Sequence, residues 1–387
     1  MAKCSNTTFK LEFVDSLTKV DKQQWQALFA DNPFCHCEFL LSLEQHCLGQ
    51  GSGWYPQHIL VFDGSDIVAA MPGYIKTHSY GEYMFDWNWA DAYQQTGQDY
   101  YPKYISAIPF TPVSSRRIAI AASHQQHSEQ IISAVIKGCQ YLQDKLQLSN
   151  SQWLYIDKPT SDILATTCPQ RIDLHYLWHN RNYQDFDGFL AQLTSRKRKN
   201  IKKERAKIAQ QHFTFQWLDG AQINDDLWQQ FYRFYVNTYR YRSGHDGYLN
   251  LPFFQSLSTV LRQHVRLLMV ADQTGEFVAG ALFVVSDDTL YGRYWGCEAG
   301  DDFLHFEVCY YQGIEYAIKH QLAFFDAGVQ GEHKLIRGFE PKLSYGNYLF
   351  TQQPFAAAIT EHLSQQNRHI QMALERAKQY LPYRKDG

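Results

Sequence analysis

The sequence predicts a mixed α/β fold in two tandem domains, each a mixed sheet flanked by helices. Three observations lead to this prediction. The chain has 387 residues, more than one domain usually holds. Strand-like and helix-like hydrophobic patterns alternate along the chain. Finally, Val61–Phe85 can be aligned with Val270–Gly296, with a matching hairpin turn and a matching Tyr-Gly pair.

We interpret this repeat as the duplication of one α/β unit. The expected organisation is an N-terminal domain over residues 1–180, a second domain over 181–351 and a C-terminal helix over 352–387. In the first half, hydrophobic periodicity predicts strands over Lys10–Val14, Ile59–Phe62, Ile67–Ile75 and Trp153–Ile156, and helices over Asp21–Phe29 and Glu129–Leu148. Asp21 is suited to cap the first helix, because its carboxylate can accept backbone N–H groups.

The second half repeats this alternation. Helices are predicted over Phe186–Gln210, Asp226–Tyr239, Pro252–Gln263, Phe303–His320 and Pro354–Leu381. Strands are predicted over Val265–Ala271, Phe277–Ser286, Leu290–Gly296, Ala323–Ala327 and Tyr345–Phe350. The first two of these strands form a hairpin around a turn that contains Gly275.

The composition is that of a folded chain without a membrane span. A hydrophobic fraction of 45% is enough for a packed core. No apolar run approaches the ~20 residues that cross a bilayer. The opening residues lack the apolar stretch of an export signal, and the eight cysteines are scattered along the chain. We therefore expect a cytoplasmic protein with reduced thiols.

The charge is distributed unevenly. The formal net charge is −3, yet the basic segment Arg196–Lys207 has eight basic residues and one acid, so the rest of the chain carries −10. Its cations, among them Arg196, Arg198, Lys199 and Lys203, repel one another, and a phosphate-bearing partner would relieve that repulsion. We expect tRNA, a lipid-linked precursor or CoA, with peripheral contact to an anionic membrane as a further option. The alternative is a solvated basic helix face.

Four strings in the second half carry a family resemblance. They are SRKRKNIKKERAKI (Ser195–Ile208), RYWGCE (Arg293–Glu298), LHFEVCYYQGIEYAI (Leu304–Ile318) and FDAGVQGEHKLIRGFEP (Phe325–Pro341). With the repeated hairpin, they resemble the FemAB-like N-acyltransferases of the GNAT superfamily, which are often associated with peptidoglycan biosynthesis or recognition. The resemblance implies tandem GNAT-like domains. It also implies transfer of an acyl or aminoacyl group to an amine, with a cell-wall precursor as one candidate acceptor.

One segment departs from the pattern of ordinary GNAT enzymes. Those enzymes hold the acyl-CoA pyrophosphate on a glycine-rich loop, whereas Gly300–Glu307 contains one glycine, two acids at Asp301 and Asp302, and bulky side chains. Backbone amides cannot approach a pyrophosphate closely past such residues. CoA bound in the usual way is therefore not expected. The family resemblance implies aminoacyl-tRNA as the donor, which needs no such loop, and acyl-CoA bound in an atypical way is the alternative.

The segment from Phe325 to Gly338 is the strongest candidate for an acid–base site, because ligands of α/β sheets bind at the carboxyl ends of strands. Amine acylation needs a base or proton relay, and we assign that role to Glu332 and His333, with Asp326 orienting them. Lys334 and Arg337 are candidate ligands for a carboxylate or phosphate. The alternative is a capped turn followed by an exposed loop, with the two cations paired to nearby acids.

The preceding strand and helix add further candidates. His305 lies near a helix N-terminus, which favours its neutral form and a role as base. Glu307 shares a helix face with apolar residues, and Arg293 is its expected partner in either a structural or a catalytic pair. Trp295 and Tyr311 are candidate substrate contacts.

Three other motifs contain residues capable of binding or chemistry. Arg240 belongs to an aromatic and basic run, Tyr239–His245, that either shapes an acceptor pocket or forms a plain surface loop. Cys297 is more consistent with packing than with a nucleophile. The spacing of Cys35-His36-Cys37 does not match a zinc site, so no metal is expected. The leading prediction is an N-acyltransferase, and the alternative is a non-catalytic module that binds tRNA or peptidoglycan precursors.

Overall fold

The computed structural model describes residues 9–298, 302–329, 331–351 and 353–384, without the side chains of residues 302, 332, 353 and 354. The chain divides into two compact units. The first unit is Met1–Asp173 with Ser344–Ile370, and the second is Leu174–Leu343 with Gln371–Gly387. Mixed sheets with flanking helices occur in each, as predicted.

The first half of the chain alternates short strands with helices. In order, they are β1 (Lys10–Val14), α1 (Lys22–Leu28), α2 (Cys37–His46), β2 (Trp54–Pro56), β3 (His58–Asp63), β4 (Asp66–Met71), β5 (Tyr74–Lys76), α3 (Trp87–Gln95), β6 (Lys103–Ser106), β7 (Ala119–Ile120), α4 (Ser128–Leu146), β8 (Asn150–Ile156), α5 (Lys158–Leu164) and β9 (Gln170–His179). Asp21 caps α1 as predicted, accepting the backbone N–H groups of Gln23 and Gln24.

The second half has longer helices. In order, they and the strands are α6 (Phe186–Ala191), α7 (Ser195–Ala209), β10 (Thr214–Asp219), α8 (Asp225–Ser243), α9 (Leu251–Val260), β11 (Val265–Ala271), β12 (Phe277–Val285), β13 (Thr289–Cys297), α10 (Asp302–Phe306), α11 (Gln312–Lys319), β14 (Phe324–Asp326), β15 (Glu340–Phe350) and α12 (Gln353–Gln379). No helix in the described ranges is both long enough and apolar enough to cross a membrane.

The first unit contains two sheets. One is antiparallel, in the order β1-β3-β4-β7. In the other, β15 pairs antiparallel with β8, β8 runs parallel to β6, and β5 and β2 complete the edge. Helix α4 packs on this unit's core through Ile131, Val135, Cys139 and Leu142, whose spacing of three to four residues places them on one helix face.

The repeat is confirmed for the hairpins but not for the strand after them. β3 and β4 pair antiparallel, as β11 and β12 do. However, Tyr291–Gly296 lies in β13, whereas its counterpart Tyr80–Phe85 forms no strand. The buried Glu82 at its centre turns inward to Lys103, which also binds Asp86, so buried ion pairs replace a strand ladder there.

The second unit has one sheet in the order β10-β11-β12-β13-β14-β9. β10 to β13 are antiparallel, and β13 then runs parallel to β14. Only three residue pairs join β13 to β14, ending at Tyr291 and Asp326, although β13 continues to Cys297. The pairing therefore holds β13 beside the carboxyl end of β14, and it does not continue beyond that point.

Two predicted helices of this unit are interrupted. The predicted helix Phe186–Gln210 is two helices, because Leu193 pairs with Tyr383 in a β-bridge and the Thr194 N–H donates to the Pro382 carbonyl at 2.8 Å. The predicted helix Phe303–His320 contains a π-helical turn at Glu307–Tyr311 between α10 and α11. Such turns hold an extra residue in the helix and often occur at functional sites.

Candidate functional site

The candidate site is built around the end of the β13–β14 ladder. β13 contains a β-bulge here, since Leu282 pairs with Tyr294 but Phe283 pairs with Gly292, which leaves Arg293 as the extra residue. Bulges redirect side chains and are common beside active sites. The ring of Tyr294 lies 5.5 Å from the guanidinium of Arg293.

Four side chains from β13, α10, the π-helical turn and the loop after β14 form what we call the histidine cluster: Trp295, His305, Tyr310 and His333. The Tyr310 hydroxyl and His333 Nε2 are hydrogen-bonded at 2.7 Å. The His305 ring centroid lies 5.2 Å from that of Trp295, 5.5 Å from Tyr310 and 6.4 Å from His333. The structure thus brings together three residues predicted from the sequence, His305, His333 and Trp295, and adds Tyr310.

The histidine cluster lies in a positive electrostatic environment. Burial, and then the charge of Arg242 and of further neighbouring cations, lowers the pKa of His305 to about 3. Burial, followed by Arg337, Lys334 and Arg242, also lowers the pKa of His333. Burial raises the pKa of the Tyr310 hydroxyl, which therefore stays protonated. Near pH 7 both imidazoles are mainly neutral, and the positive potential comes from the surrounding cations.

Gly331 sets the position of His333. Its φ of +107° is unfavourable for other residues, and a Cβ atom there would lie 2.3 Å from His333 Cε1. The imidazole therefore packs directly against the glycine backbone. This contact accounts for a glycine two residues before the histidine.

Asp326 is buried and paired at the end of β14. His175 Nε2 lies 3.0 Å from both carboxylate oxygens, and the Gly328 N–H donates to one of them at 2.9 Å. Burial would raise the pKa of Asp326, but the charge and hydrogen bond of His175, together with Lys342 and the Gly328 N–H, outweigh this effect, and the pKa lies well below its usual range. The Gly328 carbonyl accepts a hydrogen bond from the buried Lys334 ammonium, so Asp326 and Lys334 together hold the loop after β14.

Arg337 is also fully engaged. Its Nη2 donates to both Glu204 oxygens at 3.0 and 2.9 Å, Nε donates to the Tyr311 hydroxyl at 3.0 Å, and Nη1 donates to the His333 carbonyl at 2.9 Å. Its guanidinium lies 3.6 Å from the ring centroid of Phe306. Tyr311 in turn donates to Glu204. Arg337 and Tyr311, which were expected to bind substrate, thus connect α7, the π-helical turn and the loop that contains His333.

Glu307 pairs with Arg205, which corrects the expected pair with Arg293. Arg205 donates Nη2 and Nε to Glu307 at 2.8 and 3.1 Å, and it also binds Glu315 through Nη1 at 2.8 Å. Gln312 Nε2 donates to Glu307 at 2.9 Å. The π-helical turn begins at Glu307, so this buried carboxylate anchors the turn to α7.

The basic segment forms most of α7. Some of its side chains face the π-helical turn, and others face solvent. Glu204 and Arg205 point to the π-helical turn, as described above. Arg196, Lys199 and Lys203 are exposed and Arg198 is half-buried, and none of the four forms an ion pair with a described residue. Lys202 pairs with Asp187 at 3.1 Å. The surface of α7 thus carries cations that are available to an anionic partner.

The remaining sequence predictions are spread more widely. Arg240 lies exposed in the last turn of α8 and donates to Asp246, in the loop that follows, at 2.5 and 3.0 Å. The side chain of Glu332 lies outside the described residues, as do Gly300 and Asp301 of the expected CoA loop. No group of three His, Cys, Asp or Glu side chains in the described ranges is placed to hold a metal.

Three residues near the site were not singled out from the sequence. His175 lies on β9, a strand of mixed polar and apolar residues without a recognisable motif, so only the fold brings it to Asp326. Arg205 was counted among exposed cations of the basic segment. Arg242 lies two residues after Arg240, and its charge reaches both histidines. A helix-face assignment of α7 could have separated Arg205 from the outward cations, and Arg242 belongs to the aromatic and basic run Tyr239–His245, but no sequence pattern connects His175 with Asp326.

The fold, with the histidine cluster beside the end of the β13–β14 ladder in its second unit, is of the tandem GNAT-like class. The family model described as FemAB-like, peptidoglycan biosynthesis/recognition, matches residues 16–385. The chain therefore belongs to the FemAB-like family.

Solved structures share the fold at low sequence identity. The crystal structure of FemX aligns with a TM-score of 0.52 and 11% identity, covering 90% of this chain and 100% of FemX. The C-terminal domain of a candidate lysylphosphatidylglycerol synthetase from Agrobacterium fabrum aligns with a TM-score of 0.52 and 9% identity, covering 89% and 96%. A conserved protein of unknown function from Bacteroides thetaiotaomicron aligns with a TM-score of 0.50 and 11% identity, covering 89% and 100%. No curated protein matches the sequence.

Proposed function

We propose that the protein transfers an aminoacyl or other acyl group from a phosphate-bearing donor to an amine, with the histidine cluster as the reaction site. The observation that carries this proposal is the hydrogen-bonded pair of Tyr310 and His333 inside a positive environment. A neutral imidazole can accept a proton from the attacking amine. The protonated phenol can donate one to the leaving oxygen.

The proposed step balances in atoms and charge. The amine nitrogen forms a bond to the acyl carbon, and the carbon–oxygen ester bond of the donor breaks. His333 accepts the proton of the amine, Tyr310 donates its proton to the leaving oxygen, and the hydrogen bond between them returns the proton to Tyr310. The charges of Arg242, Lys334 and Arg337 favour the negative charge that develops on the carbonyl oxygen.

The other polar residues act as positioning residues in this proposal. Asp326 is already bonded to His175, and Glu307 to Arg205, so neither carboxylate is free to accept a proton. Arg337 holds the His333 carbonyl and stacks on Phe306. We assign to these groups the rigidity of the cluster, with Arg196, Arg198, Lys199 and Lys203 of α7 binding the donor phosphates.

The test supplies the purified protein with bulk aminoacyl-tRNA or acetyl-CoA as donor and a lysine-containing peptidoglycan-precursor peptide as acceptor, and measures the amide by mass spectrometry. We expect an amide product with aminoacyl-tRNA. His333→Gln should abolish turnover, and Tyr310→Phe should lower it by about 10²-fold or more, the usual contribution of a general acid. Lys158→Gln, an exposed change in the first unit, is the matched control and should have no effect.

A second function, binding without turnover, is favoured by the unpaired cations of α7. It predicts salt-sensitive binding of tRNA but no amide with either donor. Product formation that survives His333→Gln would contradict the site we propose. Product only with acetyl-CoA would keep the site and replace the donor.

A further inference from the structure

The first unit contains a cavity that the proposed acyl transfer does not use. Its volume is about 470 Å³, and its lining comes from Phe85–Trp89, from Arg171 and from one face of α12. All of these residues belong to the first unit, whereas the histidine cluster belongs to the second. A function for this cavity therefore does not depend on the proposed reaction.

Both walls of the cavity are fixed to the start of β9. Arg171 donates Nη1 to the Phe85 carbonyl at 2.8 Å, and its guanidinium lies 5.7 Å from the ring centroid of Trp89. Asn367 of α12 donates to the Gln170 carbonyl at 2.8 Å and accepts the Ile172 N–H at 2.9 Å. The cavity is thus formed before any ligand arrives, which lowers the entropic cost of binding.

One wall is an aromatic platform. The rings of Phe85 and Trp87 are stacked, with centroids 5.9 Å apart and planes at 20°. Tyr80 packs against Trp87 with centroids 4.9 Å apart. Phe85 is 38% exposed and Tyr80 is 56% exposed, so aromatic side chains of this wall face solvent instead of the core. Exposed aromatic surfaces of this kind commonly mark ligand sites.

The opposite wall is lined by polar side chains that make no hydrogen bonds to other described residues. His362, Gln365, Gln366 and His369 follow the helical spacing of three, four and seven residues, so they share one face of α12. None of their side chains is hydrogen-bonded to a described residue. These amides and imidazoles extend over about 10 Å of helix, at 1.5 Å per residue.

The charges in the cavity disfavour a cationic ligand. Asp86 is buried and already accepts hydrogen bonds from Ser79 at 2.5 Å, Tyr100 at 2.5 Å, Lys103 at 2.6 Å and Gln152 at 2.7 Å. Arg171 retains its charge, and its Nε is buried without a hydrogen-bond partner among the described residues. A neutral or anionic ligand therefore matches this lining.

We propose that this cavity is a saccharide-binding site, in which the apolar C–H face of a pyranose ring packs on Phe85 and Trp87. The ring substituents would bond to the amides and imidazoles of α12, and an oxygen or acidic substituent would meet Arg171. A saccharide carries polar groups around its whole ring, which matches donors and acceptors spread over two helical turns. A nucleobase would use the same platform but carries its polar groups on one in-plane edge.

The experiment titrates the full chain with triacetylchitotriose, maltotriose and AMP, followed by tryptophan fluorescence and by NMR of the tryptophan indole N–H groups. We expect saturable binding of at least one trisaccharide and weaker binding of AMP. Trp87→Ala should weaken it by about tenfold, as expected from loss of an aromatic stack with its buried area. Tyr141→Ala, an exposed aromatic outside the cavity, is the matched control and should bind normally.

A second pair of variants tests the polar wall. Gln365→Ala combined with Gln366→Ala should weaken saccharide binding several-fold, while Glu361→Gln on the same helix should leave it unchanged. Circular dichroism confirms that each variant is folded. The proposal is overturned if neither trisaccharide binds, if AMP binds more tightly than both, or if binding survives Trp87→Ala.

Discussion

Replacement of Arg337 by Met provides the most direct test of how the histidine cluster is held in place. The substitution keeps an unbranched apolar stem of similar length but removes the guanidinium. That group makes four hydrogen bonds, two to Glu204 and one each to Tyr311 and the His333 carbonyl. Arg337 is 3% exposed, so water cannot replace these bonds without a structural change.

The expected loss follows from the burial of this pair. Breaking a buried ion pair by removing one partner usually costs about 3–5 kcal/mol, because the other charge remains desolvated. The side chain of Glu204 is 18% exposed, so we expect the lower end, about 3 kcal/mol. For a unit of this size, that value corresponds to a decrease in Tm of about 6–12 °C.

Differential scanning calorimetry and urea unfolding provide the measurement. A double-mutant cycle with Glu204→Gln should give a coupling free energy of at least about 1 kcal/mol, since the two residues contact each other directly. Arg196→Met, an exposed change on the same helix as Glu204, is the matched control and should stay within about 0.5 kcal/mol of the wild type. A loss below about 1 kcal/mol for Arg337→Met, or additive effects in the cycle, would refute the reasoning.

Three further predictions concern pH and salt. Burial lowers the pKa of Lys334 from 10.5 to about 8. Because the unfolded chain binds more protons than the folded chain between these pH values, the free energy of unfolding should rise by about 3 kcal/mol from pH 8 to pH 10.5. The Lys334→Met variant should flatten that rise. Burial lowers the pKa of His305 from 6.5 to about 3, so the free energy of unfolding should fall as pH drops through this window. The His305 Cε1–H resonance should therefore lack the usual imidazole titration shift between pH 5 and pH 8. A shift with a midpoint near the ordinary pKa would contradict this. Combined Arg196→Gln, Lys199→Gln and Lys203→Gln should reduce the salt slope of tRNA binding by about 2–3, measured by filter binding, and an unchanged slope would exclude α7 from the interface.

The regular elements of the fold were the part most accessible from the sequence. The strand Lys10–Val14, the cap at Asp21 and the hairpin of β11 and β12 depend on residues close together in the chain, and each was predicted. The boundaries of most other predicted elements moved by one to a few residues, but the predicted strand Ile67–Ile75 is divided into β4 and β5, and α2, α3, α5, β9 and β10 were not predicted. The tandem architecture was accessible through the repeat and through the family resemblance.

The interruptions could not be predicted from local patterns. The end of α6 depends on a bridge between Leu193 and Tyr383, which are far apart in the chain. The π-helical turn at Glu307–Tyr311 coincides with bonds from Arg205 and Arg337 to that turn. Hydrophobic periodicity continues through both places, so a sequence pattern indicates an unbroken helix where tertiary contacts dictate a break.

The candidate site shows the same division. His305 and His333 were identifiable because polar, titratable residues followed predicted strands. The neutral form of His305 was also predicted, but from the helix N-terminus, whereas its lowered pKa depends on burial and on Arg242, which lies on another element. The partner of Glu307 was assigned to the preceding strand, yet the fold supplies Arg205 from a helix about a hundred residues earlier, and no spacing rule connects the two.

The arrangement of α7 provides a way to separate donor binding from chemistry. Its outward cations, Arg196, Lys199 and Lys203, form no ion pair with a described acid. Glu204 and Arg205 instead face the π-helical turn, which supplies Tyr310 of the histidine cluster. If the proposed function holds, neutralising the outward cations should raise KM for the donor and leave kcat nearly unchanged. Glu204→Gln should lower kcat instead, because it releases Arg337 and with it the carbonyl of His333. If both sets of variants changed KM and kcat in the same way, donor binding and chemistry would not be separated between the two faces of α7.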